Sequence, residues 1–185
     1  EGGQIGASTF GTGQGGNLTV NVSDEVELSG VNTANGSPSG LFTTQETKNA
    51  VGNAGSLTIN TSSLRVLYGA LVSASTSGAG KGGDLKIDAG RIEVIGTVSD
   101  GDGSNSQIAT SAYSTASGDA GNLTINTNQL IVLDGGQVIA STFGAGNGGN
   151  LTVVAKSLVE LIGVNTVNSN FPSGLFTQQE TENAT

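Results

Sequence analysis

Short runs that alternate apolar and polar residues recur along the whole chain, and they recur as one motif. Gly16-Asn17-Leu18-Thr19-Val20 returns as Gly55-Ser56-Leu57-Thr58-Ile59, Gly83-Asp84-Leu85-Lys86-Ile87, Gly121-Asn122-Leu123-Thr124-Ile125 and Gly149-Asn150-Leu151-Thr152-Val153. A period of two predicts a half-buried strand, here opened by a glycine turn. A second run follows in each unit, with Val26/Leu28, Leu64/Val66, Ile92/Val94, Leu130/Val132 and Val159/Leu161. Glycine closes it every time, at Gly30, Gly69, Gly96, Gly135 and Gly163. A third run is centred on Leu41, Leu71, Ile108, Val138 and Leu175, and the chain opens inside an earlier copy at Ile5. No window carries the i, i+3, i+4 stripe of a long helix.

The spacing turns these runs into an architecture. Successive copies of the opening glycine lie 39, 28, 38 and 28 residues apart, so long and short units alternate with a period of 66 or 67. Residues 2–50 match residues 135–184 at an offset of 133, rising to 134 after one inserted residue. Strands this short cannot close a core alone, but stacked units can pair each strand with its equivalent above and below, about 4.8 Å away. The expectation is an all-β, single-stranded parallel β-helix (β-solenoid) with three short strands per coil. Leu18, Leu57, Leu85, Leu123 and Leu151 would form one buried column, each side chain contributing roughly 1.5–3 kcal/mol. Coils are expected to start near residues 16, 55, 83, 121 and 149. Residues 1–185 then read as one segment, and the pattern that opens and stops in mid-repeat suggests a longer array.

The extra residues of the long units fall in one place, between the second and third runs, at 31–39, 97–106 and 164–173. Loops would therefore leave one corner of every second coil. Insertions gathered on one face are often where repeat proteins bind.

Composition sharpens this picture. Thirty-one glycines between β-branched runs, with only 11% charged residues, fit an all-β chain and not a disordered one. A net charge of −9 disfavours nucleic acid and anionic membrane surfaces as partners. No apolar run approaches the roughly 20 residues of a membrane-spanning helix, and no basic-then-apolar leader opens the sequence. Without cysteine there is no disulfide framework.

Chemistry-bearing patterns are few. Asn17, Asp84, Asn122 and Asn150 share a repeat position, with Ser56 as the exception, and read as stacked amides that bond the corner backbone. The run from Gly78 to Asp84 lacks the Gly-Lys-Ser/Thr of a phosphate loop and the tandem aspartates of calcium nonapeptides, so it reads as a turn. Asp100-Gly101-Asp102-Gly103-Ser104-Asn105 is the densest acidic loop, but an EF-hand needs glycine at its sixth place and glutamate at its twelfth, and these are Asn105 and Ser111. A solvated turn is the reading there, with calcium binding at Asp100/Asp102 the alternative.

With no histidine and no cysteine, the commonest general bases and thiol nucleophiles are missing. Glu25, Glu27 and Glu160 recur beside the second run as a solvated face, and the six lysines and arginines fall at unrelated repeat positions. No catalytic, cofactor or metal residue is assigned. Phe42 and Phe176, and Phe10 and Phe143, are equivalent pairs that read as core or loop cover, with a carbohydrate-stacking platform the alternative.

Together these motifs carry a resemblance. Gly-Asn-Leu-Thr-Ile/Val, then Leu-x-Val-x-x-Gly, then a third strand ending in Ala-Ser-Thr and a Gly-x-Gly-x-Gly-Gly loop resembles the repeat body of filamentous-haemagglutinin-like large exoproteins, most closely those of cyanobacteria. Gly16–Val20, Leu64–Gly69 with Leu71–Gly83, and Leu123–Leu151 carry the likeness. It implies a right-handed parallel β-helix, two-partner secretion through an outer-membrane transporter barrel, and adhesion to cells, glycans or matrix at the cell surface. The family's N-terminal secretion domain, with its Asn-Pro-Asn-type motif, is not in this sequence, so the export route is implied for a parent protein only. The resemblance carries over no active-site residue. A polysaccharide lyase or glycoside hydrolase on the same scaffold, or a calcium-binding repeat module, is the rival expectation.

Overall fold

A computed structural model describes residues 2–96, 105–167 and 171–179. In chain order the strands are β1 (Gln4–Gly6), β2 (Leu18–Asn21), β3 (Glu25–Ser29), β4 (Gly40–Phe42), β5 (Leu57–Leu67), β6 (Leu71–Ser73), β7 (Leu85–Ile95), β8 (Gln107–Ala109), β9 (Leu123–Leu133), β10 (Gln137–Ile139), β11 (Leu151–Ile162) and β12 (Gly174–Phe176). Among the described residues there is no helix. All strand pairs are parallel and fall into two sheets. One has the order β1-β4-β6-β8-β10-β12, and the other runs β11-β9-β7-β5 and ends on β2 and β3, which both pair with β5. This is consistent with a parallel β-helix or solenoid.

The register places each residue on its equivalent in the next unit. Leu18 pairs with Leu57, Leu57 with Leu85, Leu85 with Leu123 and Leu123 with Leu151. The central members of this column are inaccessible to solvent, as are Ile59, Ile87 and Ile125 two residues on. At the edge of the stack the inward columns of the second run lose their cover. Val159 and Leu161 continue the columns of Leu130 and Val132 but are 45% and 43% exposed.

The first two runs of each unit do not form separate strands. In four units they merge into one strand of 11 or 12 residues, and only the first unit keeps them apart as β2 and β3. Burial shows where they join. In β5, Leu57 and Ile59 are buried, and then Leu64 and Val66, so the inward parity changes between residues 59 and 64. Pairing skips Ser62, Gly90 and Asn128 at that junction. Hydroxyls tie it to the previous unit: Ser62 donates to the Ser23 carbonyl (2.7 Å) and Ser157 to the Asn128 carbonyl (2.7 Å).

The third run also needs a correction. Leu71 is not its centre: Leu71 pairs with Gly40 and Gln107, and Val72 is the inward residue, between Leu41 and Ile108. Successive residues of a strand point to opposite faces, so a one-residue shift exchanges inside for outside.

Glycine serves two different purposes at the turns. At Gly121 the backbone is unexceptional, but a Cβ would collide with the Gly83 carbonyl oxygen of the unit below, and the same holds up the column. Close approach, not a special dihedral, demands glycine there. At Gly135 the demand is conformational, since φ is +87°. In the short units the residue before it is forced left-handed too, at Tyr68 (φ 53°) and Asp134 (φ 52°).

One column alternates by unit length. The residues following the short strands after one step are Ala7, Thr43, Ala74, Thr110 and Ala140, with threonine in the long units. The Thr43 and Thr110 hydroxyls are buried with no hydrogen-bond partner.

Two outcomes are expected in urea melts followed by circular dichroism. Leu123→Ala should cost about 3 kcal/mol, the usual penalty for a fully buried leucine, and Leu18→Ala, only partly buried, should cost clearly less. Thr110→Val should stabilise by about 1 kcal/mol, because it removes an unsatisfied buried hydroxyl at constant shape.

Candidate functional site

The polar side chains of the outer surface are arranged in columns, and most of them bond their neighbours one unit away. Asn17 accepts from the Ser56 backbone N–H (2.9 Å), Asp84 from that of Asn122 (2.8 Å) and Asn122 from that of Asn150 (3.1 Å). The amide ladder expected from the sequence is therefore present. A second ladder, not singled out from the sequence, runs beside it. Gln14 accepts from the Asn53 N–H, Asn53 from that of Lys81 and Asp119 from that of Asn147. A third links Asn21 to Asn60 and Asp88 to Asn126 through their side-chain amides.

Arginines and glutamates form a fourth network. Arg65 lies between Glu27 and Glu93 of the adjoining units, bonding both, the latter at 2.9 Å. Arg91 reaches the same Glu93 at 2.7 Å and donates to Gln129 at 2.6 Å. Two of the basic residues thus converge on one carboxylate, contrary to the scattered placement read from the sequence. Only the cross-unit register reveals it, because Arg65 and Glu93 are 28 residues apart.

These contacts shift ionisation. Partial burial works against the Glu93 carboxylate, yet hydrogen bonds from Arg91 and Arg65 prevail and hold its pKa below the ordinary value. Asp88 is lowered by hydrogen bonds from Lys86 and Asn126. Asp119 is lowered by the Asn147 backbone and amide N–H groups, helped by Lys81. Each group loses its proton more easily folded than unfolded. The stability they contribute is complete above the unfolded carboxylate range, about pH 4, and drains away as the pH falls through the lower folded values.

The loops of the long units are fastened at their bases. Val31 bridges Pro38 and Val164 bridges Pro172. Ser39, Ser106 and Ser173 each donate to the carbonyl that ends the preceding strand, of Ser29, Ile95 and Ile162, at 2.6–2.7 Å. Each also accepts a backbone N–H from a short unit, of Gly2, Gly69 and Gly135. The Asp100/Asp102 candidate lies outside the described residues. Among the described residues, no group of three or more acidic side chains is placed to hold a metal ion, and no helix is long and apolar enough to cross a membrane.

The phenylalanines are not in the core. Phe42 follows inward-facing Leu41, so its ring lies on the outer face, folded over Gly40, where any Cβ would strike it. Phe176 lies over Gly174 in the same way. Phe10 is 71% exposed. It stands just past the row of bridges formed by Thr9, Gln45, Thr76, Ala112 and Thr142. The same step places Glu46, Ser77, Tyr113 and Phe143 in its column.

Between this column and the base of the first long loop runs a groove of about 650 Å³. Its floor is the outer face of β1, β4 and β6, with Phe42 and Leu71 in it; Pro38 flanks one side and Phe10 and Tyr113 the other. The sequence paired Phe10 with Phe143 but did not connect Tyr113 to them. Tyr113 follows Thr110-Ser111-Ala112 where the phenylalanines follow Ala-Ser-Thr, so the shared pattern of small residues is the signal that connects them.

Urea midpoints should be nearly constant from pH 7 to pH 5 and fall below about pH 4. Arg65→Ala should lower stability at pH 7 by no more than about 1 kcal/mol, because the pairs are partly exposed, and should reduce the loss between pH 7 and pH 3.

Comparison of the chain with protein-family profiles, with curated proteins and with solved structures found no match.

Proposed function

We propose that this chain is a non-enzymatic, adhesive segment of the repeat body of a large secreted or cell-surface exoprotein of the filamentous-haemagglutinin type. In this reading the two sheets belong to a right-handed single-stranded β-helix in which short and long coils alternate. The parent protein leaves the cell through an outer-membrane barrel partner and lies at the outer surface. The chain serves as a stiff spacer whose outer faces meet cells, glycans or matrix.

The observation that carries the reading is the in-register pairing of equivalent residues from β2 through β11. Such a stack transmits force along its axis through many short contacts between neighbouring units, as repeat proteins do. Its charged side chains fit a structural role: Glu93, Asp88 and Asp119 are each bound by groups of adjoining units or of their own strand. Parallel β-helices also support polysaccharide chemistry, and fold alone does not decide between the two.

Beads carrying the chain at known density should retain polysaccharide-coated particles or whole bacterial cells above the level of uncoated beads. Failure across that panel would remove the adhesive role. Incubation with polyuronates and calcium should give no absorbance from unsaturated sugars, and release of such product would overturn the non-enzymatic reading.

A further inference from the structure

We propose that the groove on the outer face of β1, β4 and β6 binds a neutral oligosaccharide laid along the stack, across the strands. The proposal deepens the adhesive reading by naming a site and a ligand class, and rests on that reading only for its biological setting.

Three features select the ligand. First, the middle of the floor, β4 and β6, offers no free backbone edge, and among the described residues only the outer edge of β1 is unpaired. β4 is paired on both sides, with β1 and β6, and β6 with β4 and β8. An extended peptide could add as a strand only along β1, at one end of the groove and away from Phe42, Leu71 and Tyr113. Second, no lysine or arginine lines the groove, while Glu46 does. With a net charge of −9 this disfavours polyuronates, sulfated glycans and nucleic acid alike. Third, the groups on offer suit a molecule with an apolar face and a hydroxyl rim. Phe10, Phe42 and Tyr113 present ring surfaces, and Gln4, Ser8, Glu46 and Ser77 present amide, hydroxyl and carboxylate groups beside them. A pyranose ring has that duality, with C–H groups for the aromatic faces and hydroxyls for the polar ones.

The geometry fits an elongated ligand. Phe10 and Tyr113 lie in one column three units apart, about 14 Å at the spacing of paired strands. Gln4 is held in place by donating to the Pro38 carbonyl at 3.0 Å, and the Thr44 hydroxyl bonds both Ser8 and Glu46. Part of the set recurs four units further along. Gln137 donates to the Pro172 carbonyl at 3.2 Å, with Phe143 and Phe176 in the places of Phe10 and Phe42. Phe143 stands four units, about 19 Å, from Phe10 and one unit, about 5 Å, beyond Tyr113, so a longer chain leaving the first groove along the axis meets it at once.

The test is isothermal titration of the intact chain with cellohexaose, chitohexaose and an oligogalacturonate of equal length. At least one neutral probe should bind at millimolar concentration or tighter, and the oligogalacturonate should bind much more weakly. Phe10→Ala and Tyr113→Ala should each weaken binding about tenfold, the loss of one stacking contact with its buried area, while Phe10→Tyr should retain it. Phe10 is exposed, so its alanine variant should keep the native circular dichroism and decides the matter even if Tyr113→Ala does not fold. No binding by either neutral probe, equal binding of the oligogalacturonate, or binding unchanged by Phe10→Ala would each overturn the proposal. If beads still retain cells in that event, the adhesive reading survives on another face.

Discussion

Every unit of this chain satisfies its backbone through its neighbours, because parallel strands bond the equivalent residues of the next unit. Each position must therefore tolerate its own likeness about 4.8 Å away. Leucine and isoleucine do so by packing, and they fill the inner columns. Asparagine does so by accepting the N–H of the next unit. A carboxylate repeated in one column would repel itself, and in the ladders it is not repeated. Asp84 lies between Ser56 and Asn122, Asp88 between Asn60 and Asn126, and Asp119 between Lys81 and Asn147. Glu27 and Glu93 are separated by Arg65. A chain of −9 net charge thus stacks without placing these acids face to face.

The two sheets divide the work unequally. The long strands carry the charged and amide networks on their outer surface. The short-strand sheet, three residues wide, has glycine, small residues, glutamines, aliphatic Leu71 and Ile139, and aromatics outside. Along β1, β4 and β6 this outer face is flanked by Pro38 of the first long loop on one side and by Phe10 and Tyr113 on the other. The groove is a direct product of that profile. Gly40 contributes by leaving room for the Phe42 ring to lie flat across the strand.

The all-β architecture and the leucine column were legible in the sequence because stacked units must repeat their inward residues, and repetition survives without knowledge of contacts. The amide ladder was legible for the same reason. Other features depend on register or on corner geometry, which a one-dimensional pattern does not carry. The continuity of the first two runs was hidden because the parity change at residues such as Ser62 looks like a gap between two strands. Leu71 was taken for Val72 because two adjacent aliphatic residues fit the same alternating pattern in either phase. The Glu27–Arg65–Glu93–Arg91 network joins residues from three units whose lengths differ, so no fixed offset brings them together. The phenylalanines were read as core or loop cover because a scarce aromatic in an aliphatic chain suggests an anchor. Here the interior is narrow enough to be filled by aliphatic side chains, and the rings lie outside.

The near-duplication of residues 2–50 as 135–184 has a consequence for heredity. A crossover between the two stretches deletes or inserts four complete units, and every junction it creates copies one already present. The inward residues of the two stretches match, Leu18 with Leu151, Val20 with Val153 and Val26 with Val159, so the core columns continue across such a junction. The reach of such a molecule is thus a quantity that ordinary recombination can lengthen or shorten in steps of about 19 Å, without passing through a misfolded ancestor.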